Sequence, residues 1–70
     1  MWCPRCDQGF VIKARIKANN EIIFLCEECD ATWFKIDDVK AKGYLDYGTY
    51  MESIGLTELW EEIEVVDERP

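Results

Sequence analysis

From Phe10 to Ile16 the chain alternates: Phe10, Ile12, Ala14 and Ile16 fall on one side of an extended backbone, and Val11, Lys13, Arg15 and Lys17 on the other. A period of two marks a strand with one buried face, so a first strand is expected here. Lys17-Ala18-Asn19-Asn20 reads as a turn, because asparagine tolerates the left-handed backbone region. Glu21 to Leu25 then returns as a second strand, and the β-prone stretch Asp30 to Ile36 predicts a third. In that third strand Trp33 and Phe34 point to opposite faces, one to seal the core and the other to cover a surface or meet the C-terminal segment. The pattern changes after Ile36. Asp37 to Gly43 reads as one helical turn, with Asp37 as N-cap and Gly43 as the stop. Thr49-Tyr50-Met51-Glu52 has the form of a capping box, which predicts a short helix ending near Gly55 with Tyr50, Met51 and Ile54 on one face. Thr57 is expected to cap a last turn over Glu58 to Glu62. Ile63 to Val66 alternates as a short strand, and residues 67 to 70 read as a frayed tail.

The cysteines sharpen this picture. All four lie in two short pairs, Cys3-Pro4-Arg5-Cys6 and Cys26-Glu27-Glu28-Cys29, with 19 residues between them. A Cys-x2-Cys turn aims two sulfurs at one point, and two such turns supply the four thiolates of a closed zinc site, with Zn–S distances of about 2.3 Å. The predicted hairpin delivers both turns to the same end. The chain contains no histidine, so the site is all-cysteine and lacks the open position that a hydrolytic zinc needs for water. Disulfides, a redox dithiol and a four-thiolate iron site are the rivals. Paired turns without a signal peptide fit metal better than an extracellular disulfide framework, and neither pair has the strand-to-helix setting of a redox dithiol. Trp2 is expected to pack over the metal turns as core, and Gly9 to permit the exit from the first turn.

Size makes a staple valuable. Seventy residues form one domain at most and bury little core for their surface, so a bound metal is expected to decide whether the chain folds. The expected fold is a small metal-stabilised α+β domain: a zinc ribbon β-hairpin plus third strand over residues 1 to 36, then an acidic helical extension over residues 37 to 66, with the short C-terminal strand in it. No targeting segment is expected before Cys3, and no apolar run approaches the ~20 residues that span a bilayer. A reduced, cytoplasmic setting is the expected one.

Net charge is −7, but its distribution matters more than its sum. Residues 1 to 42 carry seven acids and seven bases, whereas residues 43 to 70 carry eight acids against Arg69 alone. The imbalance is therefore C-terminal. Lys13, Arg15 and Lys17 form the one basic stripe, which suits a solvated strand face. Binding nucleic acid calls for a surplus of basic charge that the chain lacks. A basic protein partner is expected instead.

Residues 2 to 36 resemble a zinc ribbon, with Cys3, Cys6, Cys26 and Cys29 at the ligand positions and Trp33 as the aromatic after the second turn. Rubredoxins are similar but carry glycine after each cysteine pair, where this chain has Asp7 and Asp30. The ribbon resemblance implies one structural zinc ion and leaves activity open. No catalytic constellation is legible, so a non-enzymatic binding role is expected. In size and acidity, though in no residue motif, the chain is similar to small bacterial immunity proteins and antitoxins that cover a basic toxin nuclease. On that likeness Glu58, Glu61, Glu62 and Glu64 would steer the partner, and Trp60, Tyr47 and Tyr50 would anchor it. The alternative is a nucleic-acid-linked zinc ribbon contacting phosphates through Arg5, Lys13, Arg15 and Lys17, with a rubredoxin-like electron carrier behind it.

Overall fold

Two strands that follow and precede the cysteine turns form the centre of the computed structural model, which describes residues 1–70. β1 (Val11–Ile16) and β2 (Ile22–Cys26) pair antiparallel, from Val11 opposite Cys26 to Arg15 opposite Ile22. The turn between them is closed by Asn20, whose N–H donates to the Ile16 carbonyl at 2.8 Å and whose φ is 62°. Asparagine is among the few residues that accept this conformation readily, so the expected turn forms where the sequence placed it. β3 (Ala31–Trp33) adds to β2, β4 (Leu45–Asp46) adds to β3, and β5 (Ile63–Asp67) adds to the far side of β1. The result is one five-stranded antiparallel sheet in the order β4-β3-β2-β1-β5.

Both faces of this sheet are covered at its centre. Ile12, Ala14, Ile16, Ile23, Leu25 and Ile63 meet Tyr47 and Met51 on one face. Val11, Phe24, Ala31 and Trp33 meet Cys3 and Cys26 on the other. The period-two pattern of β1 thus assigns Ile12, Ala14 and Ile16 correctly, but Val11 is buried as well because the first cysteine turn folds over it. Phe10 departs from the expected buried series and is 48% exposed, since nothing covers that end of the face. Trp33 is 1% exposed and Phe34 lies at the surface against Tyr50, ring centroids 5.0 Å apart, which is the division of labour their parity predicts.

The expected helical extension is mostly sheet and turn. One α-helix forms, α1 (Tyr47–Ser53), and its cap is Asp46 rather than Thr49. The Asp46 carboxylate accepts the Thr49 N–H at 3.0 Å and its hydroxyl at 3.1 Å. The helix closes with a paired C-terminal motif. Gly55, at φ 80°, donates to the Glu52 carbonyl and Leu56 donates to Met51, so the chain turns back with Leu56 against the core. Residues 37 to 43 do not make the predicted capped turn. Only a 3-10 turn at Ile36–Asp38 forms, preceded by Lys35 with no side-chain cap and containing no buried residue. Without an apolar face there is nothing to hold a longer helix. A second 3-10 turn, Trp60–Glu62, leads directly into β5, and Thr57 does not cap it. Instead Thr57 donates its N–H to Glu62 at 2.9 Å. No helix is long and apolar enough to cross a membrane.

Tyr47 ties these parts together. It is 1% exposed, and its hydroxyl donates to the Leu59 carbonyl at 3.0 Å. Burial, with the charges of Glu62 and Asp30, pushes its phenol up from 10.0 to about 12. The folded state therefore holds this proton after the unfolded chain has released it. The contribution is complete below the ordinary phenol range and is lost as pH rises through about 12. Denaturant midpoints across that window should fall. Tyr47→Phe should flatten the decline while costing about 1 kcal/mol near neutrality for the missing hydrogen bond.

Candidate metal centre

Each cysteine pair sits in a tight turn, and the two turns repeat one backbone geometry. Asp7 donates its N–H to the Cys3 carbonyl and Asp30 donates to the Cys26 carbonyl, both at 3.2 Å. Asp7 and Asp30 take φ values of 56° and 61°, the left-handed conformation that glycine adopts at lowest cost. Cys3 N–H closes the first turn on the Gly9 carbonyl at 2.8 Å, and Glu27 N–H joins the second turn to the Phe10 carbonyl at 3.1 Å. Gly9 lets the second turn approach closely. A Cβ there would come within 2.5 Å of Glu28 Cγ and 3.2 Å of Cys26 Sγ.

The four sulfurs converge, all within 4.8 Å of one another, as free thiols. Cys3 and Cys29 are 3.7 Å apart, and so are Cys6 and Cys26. That spacing matches the edge, about 3.8 Å, of a tetrahedron whose corners lie about 2.3 Å from a central ion. Cys3 and Cys26 are buried while Cys6 and Cys29 are half-buried, so the cluster backs onto the core and faces solvent on one side. The N–H groups of Glu28 and Cys29 approach Cys26 Sγ at 3.4 and 3.5 Å, donors that stabilise a thiolate. Burial pushes the Cys26 thiol strongly up all the same. Burial acts the same way on Cys29, but the Ala31 N–H, the neighbouring thiols and the Arg5 guanidinium outweigh it and bring it down to about 7. The donor set is four sulfurs within 4.8 Å of one another, and it can hold a metal ion.

Arg5 braces the rim. Its Nη1 donates to the Cys29 carbonyl at 3.1 Å, and its guanidinium lies 4.4 Å over the Tyr44 ring, which in turn packs edge-on to Trp33. Trp2, expected over the cluster as core, is 47% exposed and pairs edge-on with Phe10 at 5.1 Å. Its indole N–H reaches Asp7. Trp2 is therefore not part of the buried cluster around Cys3 and Cys26.

The C-terminal residues expected at a partner surface separate into two groups. Tyr47 is core, so it is not an anchor in this conformation, and Tyr50 is half-buried with its hydroxyl on Glu21 at 3.0 Å. Glu62 is engaged by Thr57, and Glu64 pairs with Arg15 at 3.2 Å. Glu58 lies beside Gly48, close enough that a side chain at position 48 would meet its carboxylate. Glu61 and Trp60 are exposed. Trp2 and Phe10 join them as exposed aromatics, against the expectation that both are buried. The only signal was that both bracket the first cysteine turn. No family model matches this sequence, and neither curated proteins nor solved structures yield a match.

Asp30 carries no side-chain bond that would offset its left-handed backbone. Burial and the nearby Asp46 charge also hold its carboxyl above the usual carboxylate range. Asp30→Gly should therefore stabilise the protein by about 0.5–1 kcal/mol, after the larger entropy of the unfolded glycine is deducted. A higher denaturant midpoint at unchanged slope is the expected result. Asp7→Gly should gain less, because it removes the partner of the Trp2 indole.

Proposed function

We propose that this chain is a non-enzymatic zinc-ribbon protein that binds and neutralises a basic protein partner, as an immunity protein or antitoxin covers a bacterial nuclease toxin. In this reading Cys3, Cys6, Cys26 and Cys29 hold one structural zinc ion. All four positions are filled by protein sulfur, so zinc would fix the fold and supply no water or open site. Asp7 and Asp30 stand where rubredoxins carry the two glycines that let backbone N–H groups approach the sulfurs, which favours zinc over a redox iron centre.

The observation that carries the partner assignment is the one-sided charge. Eight acids against one base occupy residues 43 to 70; Glu58, Glu61, Asp67 and Glu68 are exposed, and Glu68 shares a groove with the exposed Trp60. Carboxylates around an aromatic suit a basic surface, steering it first and anchoring it afterwards. The likeness to immunity proteins and antitoxins is one of size and acidity. Contact with nucleic acid is less favoured, because Arg15 is paired with Glu64 and Asn20 while Arg5 is stacked on Tyr44. A reduced cytoplasmic setting goes with this reading, since it keeps the thiols available for metal.

The test is recovery of the full chain from its native cells at low salt. A basic protein retained at low salt and released at high salt is expected. Tight, salt-dependent binding to generic RNA or DNA with no basic protein present would overturn the proposal.

A further inference from the structure

One end of the helix-bearing sheet face is uncovered. α1 lies over Ile16, Ile23, Leu25 and Ile63, but toward Phe10 and Ile12 the face opens into a groove of about 280 Å³. Phe10, Ile12, Trp60 and Val65 form its apolar surface, and Glu27, Glu68 and Arg69 stand at its margins. Three of these apolar residues are far from buried: Phe10 at 48%, Trp60 at 39% and Val65 at 42% exposed. Trp2 extends the patch, held edge-on to Phe10. The groove is made by strand pairing and not by a loose tail, because β5 is bonded along β1 and places Val65 opposite Ala14. The 3-10 turn before β5 then brings Trp60 to the same place.

Its size and charge indicate what fits. The volume is just below that of ordinary small-molecule pockets, roughly 300 Å³ and upward, which suits a protruding side chain better than a cofactor. The margin has two carboxylates and one guanidinium, and the adjoining segment adds Glu61, Glu64 and Asp67. A second copy of this chain would bring −7 against −7, so self-association through this face is opposed by charge. A cationic segment is favoured by the same field.

We infer that this groove is the anchoring site for the basic partner: it takes one large apolar side chain of a lysine- or arginine-rich segment between Phe10, Trp60 and Val65, while Glu27 and Glu68 receive the flanking cations. The inference rests on the basic-partner reading and deepens it. It keeps Trp60 as an anchor, puts Phe10 and Val65 in place of Tyr47 and Tyr50, and enlists Glu27 from the second cysteine turn, outside the C-terminal segment.

The experiment uses the metal-loaded full chain and two synthetic probes, a nine-residue oligolysine peptide and the same peptide with one central leucine. Amide and indole resonances are followed by two-dimensional NMR. Saturable shifts of the Trp60 indole and of the Phe10, Ile12 and Val65 amides are expected, with the leucine peptide binding about tenfold more tightly. Trp60→Ala and, separately, Val65→Lys should each weaken the leucine peptide by about tenfold or more. Unchanged metal content and an unchanged Trp33 indole signal would show that these variants remain folded. Shifts confined to other surfaces, equal affinity of the two peptides, or full binding by both variants would overturn the groove assignment. Failure of this kind leaves the salt-dependent recovery of a basic protein standing, so the two readings fail separately.

Discussion

Replacing Cys26 with serine is expected to abolish cooperative folding. Cys26 ends the central strand, is fully buried, and lies 3.7 Å from Cys6 within the cluster. Structural zinc contributes roughly 10–16 kcal/mol in small zinc-finger peptides at neutral pH, whereas a whole domain is stable by only about 5–15 kcal/mol. A metal term of that size would be as large as the total, and a chain of 70 residues has little core to substitute for it. Amide dispersion should collapse and the bound metal should be lost. Cys6→Ser, at a half-buried corner that solvent can reach, should weaken metal binding but leave a fold recoverable with excess zinc. A Cys26→Ser chain that unfolds with the same midpoint as the parent would remove the metal from the account of stability.

The second large effect belongs to Trp33. Its ring is buried under the first cysteine turn, in the cluster that includes Cys3, Val11, Phe24 and Cys26. Truncation to alanine should cost about 3–5 kcal/mol, the range for a large aromatic removed from a core. That would consume most of the margin of so small a domain, even with metal bound. The indole Nε1 has no hydrogen-bond partner although it is buried. An orphaned buried donor costs about 1–3 kcal/mol, so Trp33→Phe should be much milder than the lost volume alone implies, because it removes that donor along with part of the ring. Metal-loaded denaturation curves of the two variants measure the difference. A Trp33→Phe loss as large as the missing ring volume alone would give would show that the unpaired N–H carries no cost.

The parts of this molecule that were readable in the chain are those fixed by local chemistry. The cysteine spacing and the alternation around Lys13 and Arg15 specify the hairpin and bring four sulfurs together, and Asn20 closes the turn as expected. The misreadings have one cause, which is that partners distant in sequence decide the outcome. Ile63 to Val66 looked like a short strand, yet nothing local says that it would pair with β1, and that pairing makes the extension part of the sheet and draws Asp67 out of the expected tail. Asp46 and Thr49 are both credible helix caps, and β4 settles the choice by fixing Asp46 at the sheet edge. Alternation told which side of β1 Phe10 faces but not whether anything lies over it. The exposed groove was invisible for that reason, as was the burial of Tyr47 beneath Leu59.

The most direct test of the central claim is the metal content of the chain purified under reducing conditions, read by native mass spectrometry with a visible spectrum and followed by chelation. One zinc ion per chain, no visible absorption, and loss of the fold when the metal is withdrawn are the predicted results. An intact fold after complete metal removal, or a mass showing two disulfides in place of metal, would contradict it.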